Sequence, residues 1–393
     1  MRLVLSLLAL LLASPAWAQV DGHVSALFDV LPQIGEGAER SAELRTRLFV
    51  EHKRDLGTHV RLNLSGYFDG LAASRKDAIV RPGDLYIEFR ATHFDVRVGA
   101  SRLVWGRLDE FQPTDVVNPI DLTRFVLEGR SEARLAVGLV RARAFLPKAA
   151  TIEAVVVPVF RAGRFDQLDE PSSPFNLAAN ATTLCPPFGL GPCRLLRRDR
   201  REPAAAWRNM QGGARVTTTT GRVDWALSAW RGFRTFPIYT VSVPTLVESF
   251  PRFTMIGGDF ETGRGAWGVR GEVAAFVEDS RDRVESGVGV DRKAGDYRVA
   301  ANVLWSYQEI EGSDVSLVAA VDRNFALETR TLRVFAVYDP VDDTAFLRGI
   351  GAVRLREDVW LEGSAGLFTG SAADTIGRLT DRDFLYARLK VFF

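Results

Sequence analysis

Apolar and polar residues alternate along most of this chain. In the stretch 43–53 one set of alternate positions is apolar or small, namely Leu44, Thr46, Leu48 and Val50. The other set is mainly charged, namely Glu43, Arg45, Arg47, Glu51 and Lys53, with Phe49 among them. Stretches 59–69, 84–90 and 94–101 show the same pattern. A period of two residues predicts β-strands whose two faces meet different surroundings.

The alternating stretches are numerous and long. They predict eighteen strands, at 22–30, 43–53, 57–69, 83–91, 93–101, 133–145, 151–161, 209–220, 221–231, 252–262, 264–278, 284–292, 296–309, 314–324, 327–339, 344–355, 357–369 and 382–393. Many of them reach the roughly nine to eleven residues that a tilted strand needs to cross a bilayer. A soluble antiparallel sheet would alternate too, with its polar face in water, so the strands alone leave both architectures open.

The predicted connections between strands alternate between short and long. Short ones fall at 55–57, 92, 147–148, 221, 263, 293–295, 325 and 356. Those between them include long ones at 31–42, 70–82, 102–132, 162–208, 232–251 and 370–381. Outer-membrane barrels have short periplasmic turns and long extracellular loops. The pattern therefore predicts an all-β fold, a transmembrane antiparallel barrel of eighteen strands, with sixteen as the alternative count.

The two ends of the chain indicate export to an outer membrane. Arg2, the apolar run 3–12 and the sequence Ala16-Trp17-Ala18 have the order of a cleavable signal peptide. We expect this signal peptide at 1–18 and the barrel at 19–393; a retained anchor is the alternative, but the apolar run is short for a spanning helix. At the other end, alternate apolar positions lead up to a terminal Phe393. This resembles the signal that the barrel-assembly machinery of Gram-negative cells recognises, which makes that machinery an expected partner.

The charge balance bears on partners and on the inside of the barrel. The chain has 50 basic and 49 acidic residues and a net charge of +1, whereas nucleic-acid binders usually carry a basic excess. We therefore expect outer-membrane lipid and lipopolysaccharide, and no nucleic acid, as partners. Charges buried in a dry interior would be costly, so the charged strand faces should line a wet lumen. The predicted lumen-lining residues are Arg45, Arg47, Glu51, Arg61, Glu88, Arg90, Arg97, Arg298, Arg388 and Lys390.

The stretch 102–132 interrupts the alternation. It is too long for a tight turn, and it contains Pro113, Pro119 and helix-start signals that predict a short helix at 120–127. Loops of this length in compact folds are usually functional, so we predict that it folds inward and constricts the pore. The constriction candidates are Trp105, Arg107, Asp109, Asp115, Asn118, Asp121 and Arg124.

Two roles for this stretch remain open. In the first, it is scaffolding: Asn118 and Asp121 cap the helix, Trp105 sits at the membrane interface, and Asp115 and Asp121 pair with wall arginines such as Arg45 or Arg97. In the second, its side chains contact the solute directly.

The order of residues in this stretch resembles that of an uncharacterised family of proteobacterial outer-membrane β-barrels, a domain of unknown function. The matching signature is W-G followed by D-V-x-N-P-x-D-L, carried here by Trp105, Gly106, Asp115, Val116, Asn118, Pro119, Asp121 and Leu122. The resemblance is tight over about 93–165. The chain departs from it at Ala100-Ser101-Arg102, where the family has Gly-Arg-Gln. The resemblance implies an outer-membrane channel that exports or takes up a fairly apolar or bulky molecule, and no catalytic residue.

The stretch 162–208 has a different character. Cys185 and Cys193 are close together, and an oxidising compartment favours a disulfide between them. The basic run 194–201 has two open interpretations, binding of lipopolysaccharide phosphates and a solvated loop face.

The sequence therefore predicts a channel or transport component for a small or moderately apolar solute, with an inner-membrane or periplasmic transport protein as a further possible partner. The alternatives are a plugged structural barrel and an outer-membrane lipid-modifying hydrolase. His59 and Ser65 share the lumen-facing row, but neither a G-x-S-x-G nor an H-E-x-x-H motif is present. We predict no enzyme activity, no cofactor and no metal site.

Overall fold

The computed structural model of the chain describes residues 20–32, 42–71, 74–109, 111–122, 133–147, 149–164, 183–184, 194–195, 197–278, 281–309, 312–371 and 376–393. The predicted signal peptide, the disulfide Cys185–Cys193 and Arg124 lie outside these residues, as does most of the predicted helix 120–127. Within the described ranges, no helix has the length and apolar character needed to cross a membrane.

The described residues form twenty-three strands and two 3-10 helices, Trp207–Asn209 and Gly377–Leu379. The strands are β1 (Val20–Val30), β2 (Ala42–Leu56), β3 (Val60–Leu71), β4 (Ser74–Arg90), β5 (Phe94–Ser101), β6 (Val137–Leu146), β7 (Ala150–Val157), β8 (Thr183–Leu184), β9 (Arg194–Leu195), β10 (Arg197–Arg201), β11 (Gln211–Thr220), β12 (Val223–Phe233), β13 (Ile238–Ser242), β14 (Thr245–Ser249), β15 (Arg252–Arg264), β16 (Trp267–Glu278), β17 (Arg283–Ala294), β18 (Tyr297–Gln308), β19 (Gly312–Phe325), β20 (Arg330–Asp339), β21 (Thr344–Arg356), β22 (Val359–Thr369) and β23 (Phe384–Phe392).

Eighteen of these strands form one closed antiparallel barrel, which confirms the predicted fold class and strand count. They are β1–β7, β11, β12 and β15–β23, and each pairs with its neighbours in chain order. Strand β1 pairs with both β2 and β23, which closes the ring. One rim carries only short connections, such as 57–59, 221–222 and 295–296, and the other carries the long ones.

The closing seam brings the two ends of the barrel together. The backbone N–H of Gly22 donates to the carbonyl of Phe393 at 3.0 Å, and the N–H of Phe393 donates to the carbonyl of Gly22 at 3.1 Å. A Cβ at Gly22 would lie 2.4 Å from the carbonyl oxygen of Phe49 and 2.8 Å from the Phe393 ring. The seam therefore requires glycine at this position.

The two faces of the barrel wall differ as the alternation predicts. The outward face exposes apolar side chains, for example Leu227 (60% exposed), Ile256 (66%) and Val288 (56%). Contiguous exposed apolar surface on a closed barrel is covered by lipid in a membrane. The cross-strand register places the charged side chains of the same strands on the opposite, inward face.

One predicted loop is wrong. The sequence predicted a long connection at 70–82, but β3 continues to Leu71 and β4 starts at Ser74. Pro82-Gly83 looks like a turn signal but lies in a bulge: Leu64 faces Leu85 and Gly66 faces Pro82, so that two residues of β4 oppose Ser65. A bulge accommodates proline because the ladder is locally broken there.

Two other stretches also differ from the prediction. Residues 133–136 were predicted to begin β6, but they form backbone hydrogen bonds with residues 119 and 121 instead. Leu135 N donates to Pro119 O, and Asp121 N donates to Ala133 O. The predicted loop 232–251 contains β13 and β14, which form a separate three-stranded sheet with β10. That sheet is not part of the barrel. A prediction based on the number of strands that cross the membrane therefore treats its strands as loop.

We predict that Gly22→Val destabilises the barrel by about 1–3 kcal/mol, the usual cost of overpacking, because the added carbons meet the Phe393 ring. Gly349→Val is the matched control, since a Cβ at Gly349 in β21 meets no atom within 4 Å. Urea unfolding of both variants in lipid vesicles measures the effect. Equal loss of stability in both variants would contradict the proposed role of the seam.

Candidate functional site

A chain segment, described at residues 102–109 and 111–122, leaves the end of β5 and lies against the inner wall of the barrel; we call it the inward segment. Leu103, Trp105 and Val117 of the segment are buried, and they join inward-facing residues of the wall in one core, whereas Val104 and Phe111 are exposed. The wall members of that core are Val137, Leu139, Val155, Val157, Trp230, Phe253, Met255, Ala274 and Phe276. Part of the lumen is therefore filled by a dry, packed cluster.

Trp105 is the centre of this core. It is 1% exposed, and its ring meets the ring of Trp230 edge-on, with the centroids 5.7 Å apart. Its indole N–H donates to Glu153 Oε1 at 2.6 Å, which satisfies the polar atom of a buried tryptophan. Trp105 is thus a core residue, and the expectation of an interfacial position for it is wrong.

Asn118 holds the two ends of the inward segment together. Its Oδ1 accepts from Leu103 N at 2.7 Å, while its Nδ2 donates to Ser101 O at 3.0 Å and to Leu135 O at 2.8 Å. The buried side-chain amide of Asn118 therefore satisfies three backbone groups at points where the chain departs from the hydrogen-bond ladder of the barrel. Asparagine suits this role because its side chain carries both a donor and an acceptor.

Glu272 of β16 anchors the middle of the segment to the wall. One carboxylate oxygen accepts from the backbone N–H groups of Arg107 and Leu108, the latter at 2.6 Å. The other accepts from the Thr114 hydroxyl at 3.1 Å and from its N–H at 3.4 Å. A Cβ at Gly106 would lie 2.8 Å from this carboxylate, so the glycine of the W-G pair allows the close approach.

Two charged side chains of the segment pair with wall charges of opposite sign. Arg107 contacts Asp259 at 2.6 Å and Glu261 at 3.1 Å on β15. Asp109 contacts Arg270 of β16 and Arg298 of β18, each at 2.8 Å. Arg107 faces acidic residues of the wall, and Asp109 faces basic ones. A shift of the segment along the wall would therefore bring like charges together.

The electrostatics of Arg107 favour the charged form. Burial by itself would lower the pKa of Arg107, but hydrogen bonds and attraction to Asp259 and Glu261 outweigh it and raise the pKa above its usual value. A partly buried ion pair is weak evidence of net stability, because desolvation of the two charges offsets their attraction. These contacts therefore fix where the segment lies.

The acidic residues of the signature find other partners than expected. Asp115 pairs with Arg134 at 2.6 Å, and Asp121 pairs with Arg81 and lies 3.5 Å from Arg164. The expected partners are engaged elsewhere: Arg45 with Glu43, and Arg97 with Glu88 at 2.8 Å. Asp121 thus pairs with a wall arginine, as the scaffolding role expects, but this arginine is Arg81 of β4 and not Arg45 or Arg97.

The register places all ten predicted wall residues on the inward face, where most meet an opposite charge. Arg47 pairs with Asp69 at 2.7 Å, and Glu88 pairs with Arg90, Arg97 and Arg141. The remaining contacts are Lys53–Glu51 at 2.7 Å, Arg61–Asp55 at 2.6 Å, Arg298–Asp109 at 2.8 Å and Arg388–Glu362 at 3.7 Å, with Lys390 Nζ 5.2 Å from the Phe392 ring.

Several charged residues that hold the inward segment are not among the predicted site residues: Arg134, Glu153, Arg215, Asp259, Arg270 and Glu272. All six lie on predicted strands. The last five lie on strands of the wall, where the alternation could have placed them inward, whereas Arg134 lies in the stretch 133–136, which precedes β6. Nothing in the sequence indicated which of the inward charges would meet the segment.

The family described as a protein of unknown function (DUF1302) matches residues 63–279, which is more than half of the chain and includes the whole inward segment. The chain belongs to this family, and the resemblance found in the sequence is thereby confirmed. No curated protein shows significant similarity to the chain.

The chain is also similar in overall fold to solved porin structures. One is an engineered variant of the Rh. blastica porin, with 12% identity, a TM-score of 0.45, and coverage of 95% of this chain and 99% of that one. Another is the in-vitro folded trimer form of OmpT, an outer membrane protein of Vibrio cholerae, with 11% identity, a TM-score of 0.44, and coverage of 95% and 98%.

We predict that Glu272→Leu releases the inward segment while leaving the barrel closed. The change leaves the amides of Arg107, Leu108 and Thr114 without their acceptor, at about 1–3 kcal/mol for each buried group. Hydrogen exchange should show lost protection at 107–114 and preserved protection in the barrel strands. Glu285→Leu on β17 is the control, since Glu285 pairs with Arg283 of its own strand; equal loss of protection in both variants would contradict the anchoring role of Glu272.

Proposed function

We propose that the protein is an outer-membrane channel that passes a small or moderately apolar solute through a lumen narrowed by the inward segment. The observation that carries this proposal is the attachment of the segment to the inner wall by Glu272, Arg107 and Asp109. A barrel of eighteen strands is wide enough to enclose a lumen. A segment fixed across such a lumen sets the size of what can pass.

The charge pattern supports a wet pathway beside the segment. The side chains of Asp109, Arg270 and Arg298 keep part of their surface exposed, and charged groups tolerate such positions only where water reaches them. Positive and negative side chains both line the wall, so a general porin with strong preference for one ion sign is not favoured. Selection by size and by apolar contact fits these surfaces better.

Single-channel conductance of the refolded mature protein in a planar bilayer tests the proposal. We expect a small conductance in the parent protein and a severalfold larger one after deletion of 105–128. The double variant Arg107→Ala with Asp109→Ala should give intermediate or flickering openings, because both ion-pair sets are lost while the backbone anchors stay.

The matched control removes an ion pair that lies away from the segment. Asp199→Ala with Arg201→Ala eliminates an exposed pair on β10, which is not a strand of the barrel, and its conductance should equal that of the parent. Absence of conductance in the parent and in the deletion variant, with both barrels shown to be folded, would reject the channel proposal.

A plugged structural barrel is the second candidate, and the dry core around Trp105 is the observation that favours it. It predicts zero conductance in the parent and an open pore only after deletion.

For the hydrolase alternative, His59 Nδ1 bonds with Arg90 O at 3.0 Å and the Ser65 hydroxyl accepts from Asp84 N at 2.7 Å. These contacts hold the two side chains apart from each other and do not support a base–nucleophile pair.

The remaining partners are also proposals. In the basic run, Arg198 pairs with the buried Glu248, and Arg201 pairs with Asp199 at 2.8 Å. Lipopolysaccharide phosphates would have to compete with these carboxylates for Arg198 and Arg201. Other arginines of the run are therefore favoured as contacts. Recognition by the barrel-assembly machinery is supported by the position of Phe393 at the seam, and coupling to a periplasmic or inner-membrane transport protein is proposed from the channel function.

A further inference from the structure

Four adjacent strands each place one aromatic ring on the inward face at matching positions. They are Phe392 of β23, His23 of β1, Phe49 of β2 and Tyr67 of β3, and we call them the aromatic belt. The register pairs each ring with the next one directly across the ladder. The ring centroids are 5.6 Å, 5.3 Å and 4.7 Å apart along the row.

The belt is open to the lumen. Phe392 is 39% exposed although it faces inward, and the other three rings are partly exposed. This differs from the aromatic core of the inward segment, where Trp105 and Trp230 are almost fully buried. Exposed rings on a wet face gain little from burial, so their contribution to stability alone is small.

Stabilisation of the closing seam accounts for only part of the belt. The seam joins β23 and β1, and the contact between Phe392 and His23 crosses it. The row continues through Phe49 to Tyr67, two strands beyond the seam. A role confined to closure leaves these two rings unexplained.

Cationic groups lie at both ends of the belt. The ammonium group of Lys390 is 5.2 Å from the Phe392 ring. The guanidinium groups of Arg47 and Arg102 are 5.1 Å and 5.9 Å from the Tyr67 ring. Arg102 belongs to the inward segment and donates to the Tyr67 hydroxyl at 3.1 Å, so the belt begins where the segment meets the wall.

The chemistry of this surface matches one class of solute. Ring faces attract another aromatic ring in stacked or edge-on geometry, and the Lys390 ammonium at one end of the belt attracts a carboxylate. Arg47 and Arg102 at the other end are paired with Asp69 and Asp84. We infer that the aromatic belt is a binding station for a small aromatic carboxylate that passes through the lumen. This inference rests on the proposed channel function and names the class of its solute.

The test compares entry of two solutes into vesicles that contain the refolded protein. Benzoate and cyclohexanecarboxylate have the same charge and similar size, but only benzoate is aromatic; benzylammonium serves as the aromatic solute of opposite charge. Benzoate should enter roughly two- to tenfold faster than cyclohexanecarboxylate, the range that one ring–ring contact provides, and faster than benzylammonium.

Variants of the aromatic belt test whether its rings cause the preference for benzoate over cyclohexanecarboxylate. Phe49→Leu and Phe392→Leu should each bring the ratio of the two rates towards one, and if one of them does not fold, the other carries the test. The control is Phe28→Leu on the outward face of β1, where the ring is 50% exposed on the lipid side; its ratio should equal that of the parent.

The outcomes separate this inference from the channel proposal. Normal conductance of potassium chloride with equal entry of benzoate and cyclohexanecarboxylate, or a benzoate preference that Phe49→Leu and Phe392→Leu leave intact, overturns the belt inference alone. Absence of both ion conductance and solute entry, with the barrel folded, overturns the channel proposal and the inference together.

Discussion

The structure depends on one constraint, that every backbone N–H and C=O group in lipid must be paired within the protein. A sheet meets this condition only when its first and last strands pair with each other. Here they do so through β1 and β23, with reciprocal bonds between Gly22 and Phe393. The close approach of the Phe393 ring and the Phe49 carbonyl at this seam leaves no room for a side chain at residue 22.

Closure creates an inner face that must satisfy many charges. The wall does so by pairing inward residues across neighbouring strands, as around Glu88. The inward segment adds charges of its own to this network, and Glu272 of the wall accepts from three of its backbone N–H groups. The segment and the wall therefore stabilise each other's polar groups, and neither arrangement is complete alone.

The interior that results is uneven. From β4 round to β18 the wall is covered by the segment, through contacts such as Arg102–Asp84 and Asp109–Arg298. The seam region carries partly exposed rings and cations instead. In the proposed channel, the segment is the constriction and the seam region is the surface that a passing solute contacts, so that selection requires no conformational change.

The sequence by itself determined the barrel. The period of two gave each strand a lipid face and a lumen face, and the regular connections gave the count of eighteen, because both properties are local and repeat many times. It also marked the stretch around Trp105 and Asn118 as exceptional. The bulge at Pro82-Gly83, the burial of Trp105 and the partners of Asp115 and Asp121 were decided only by the tertiary structure. Those features depend on which distant strands face each other across the lumen, and the alternation along one strand contains no information about the opposite wall.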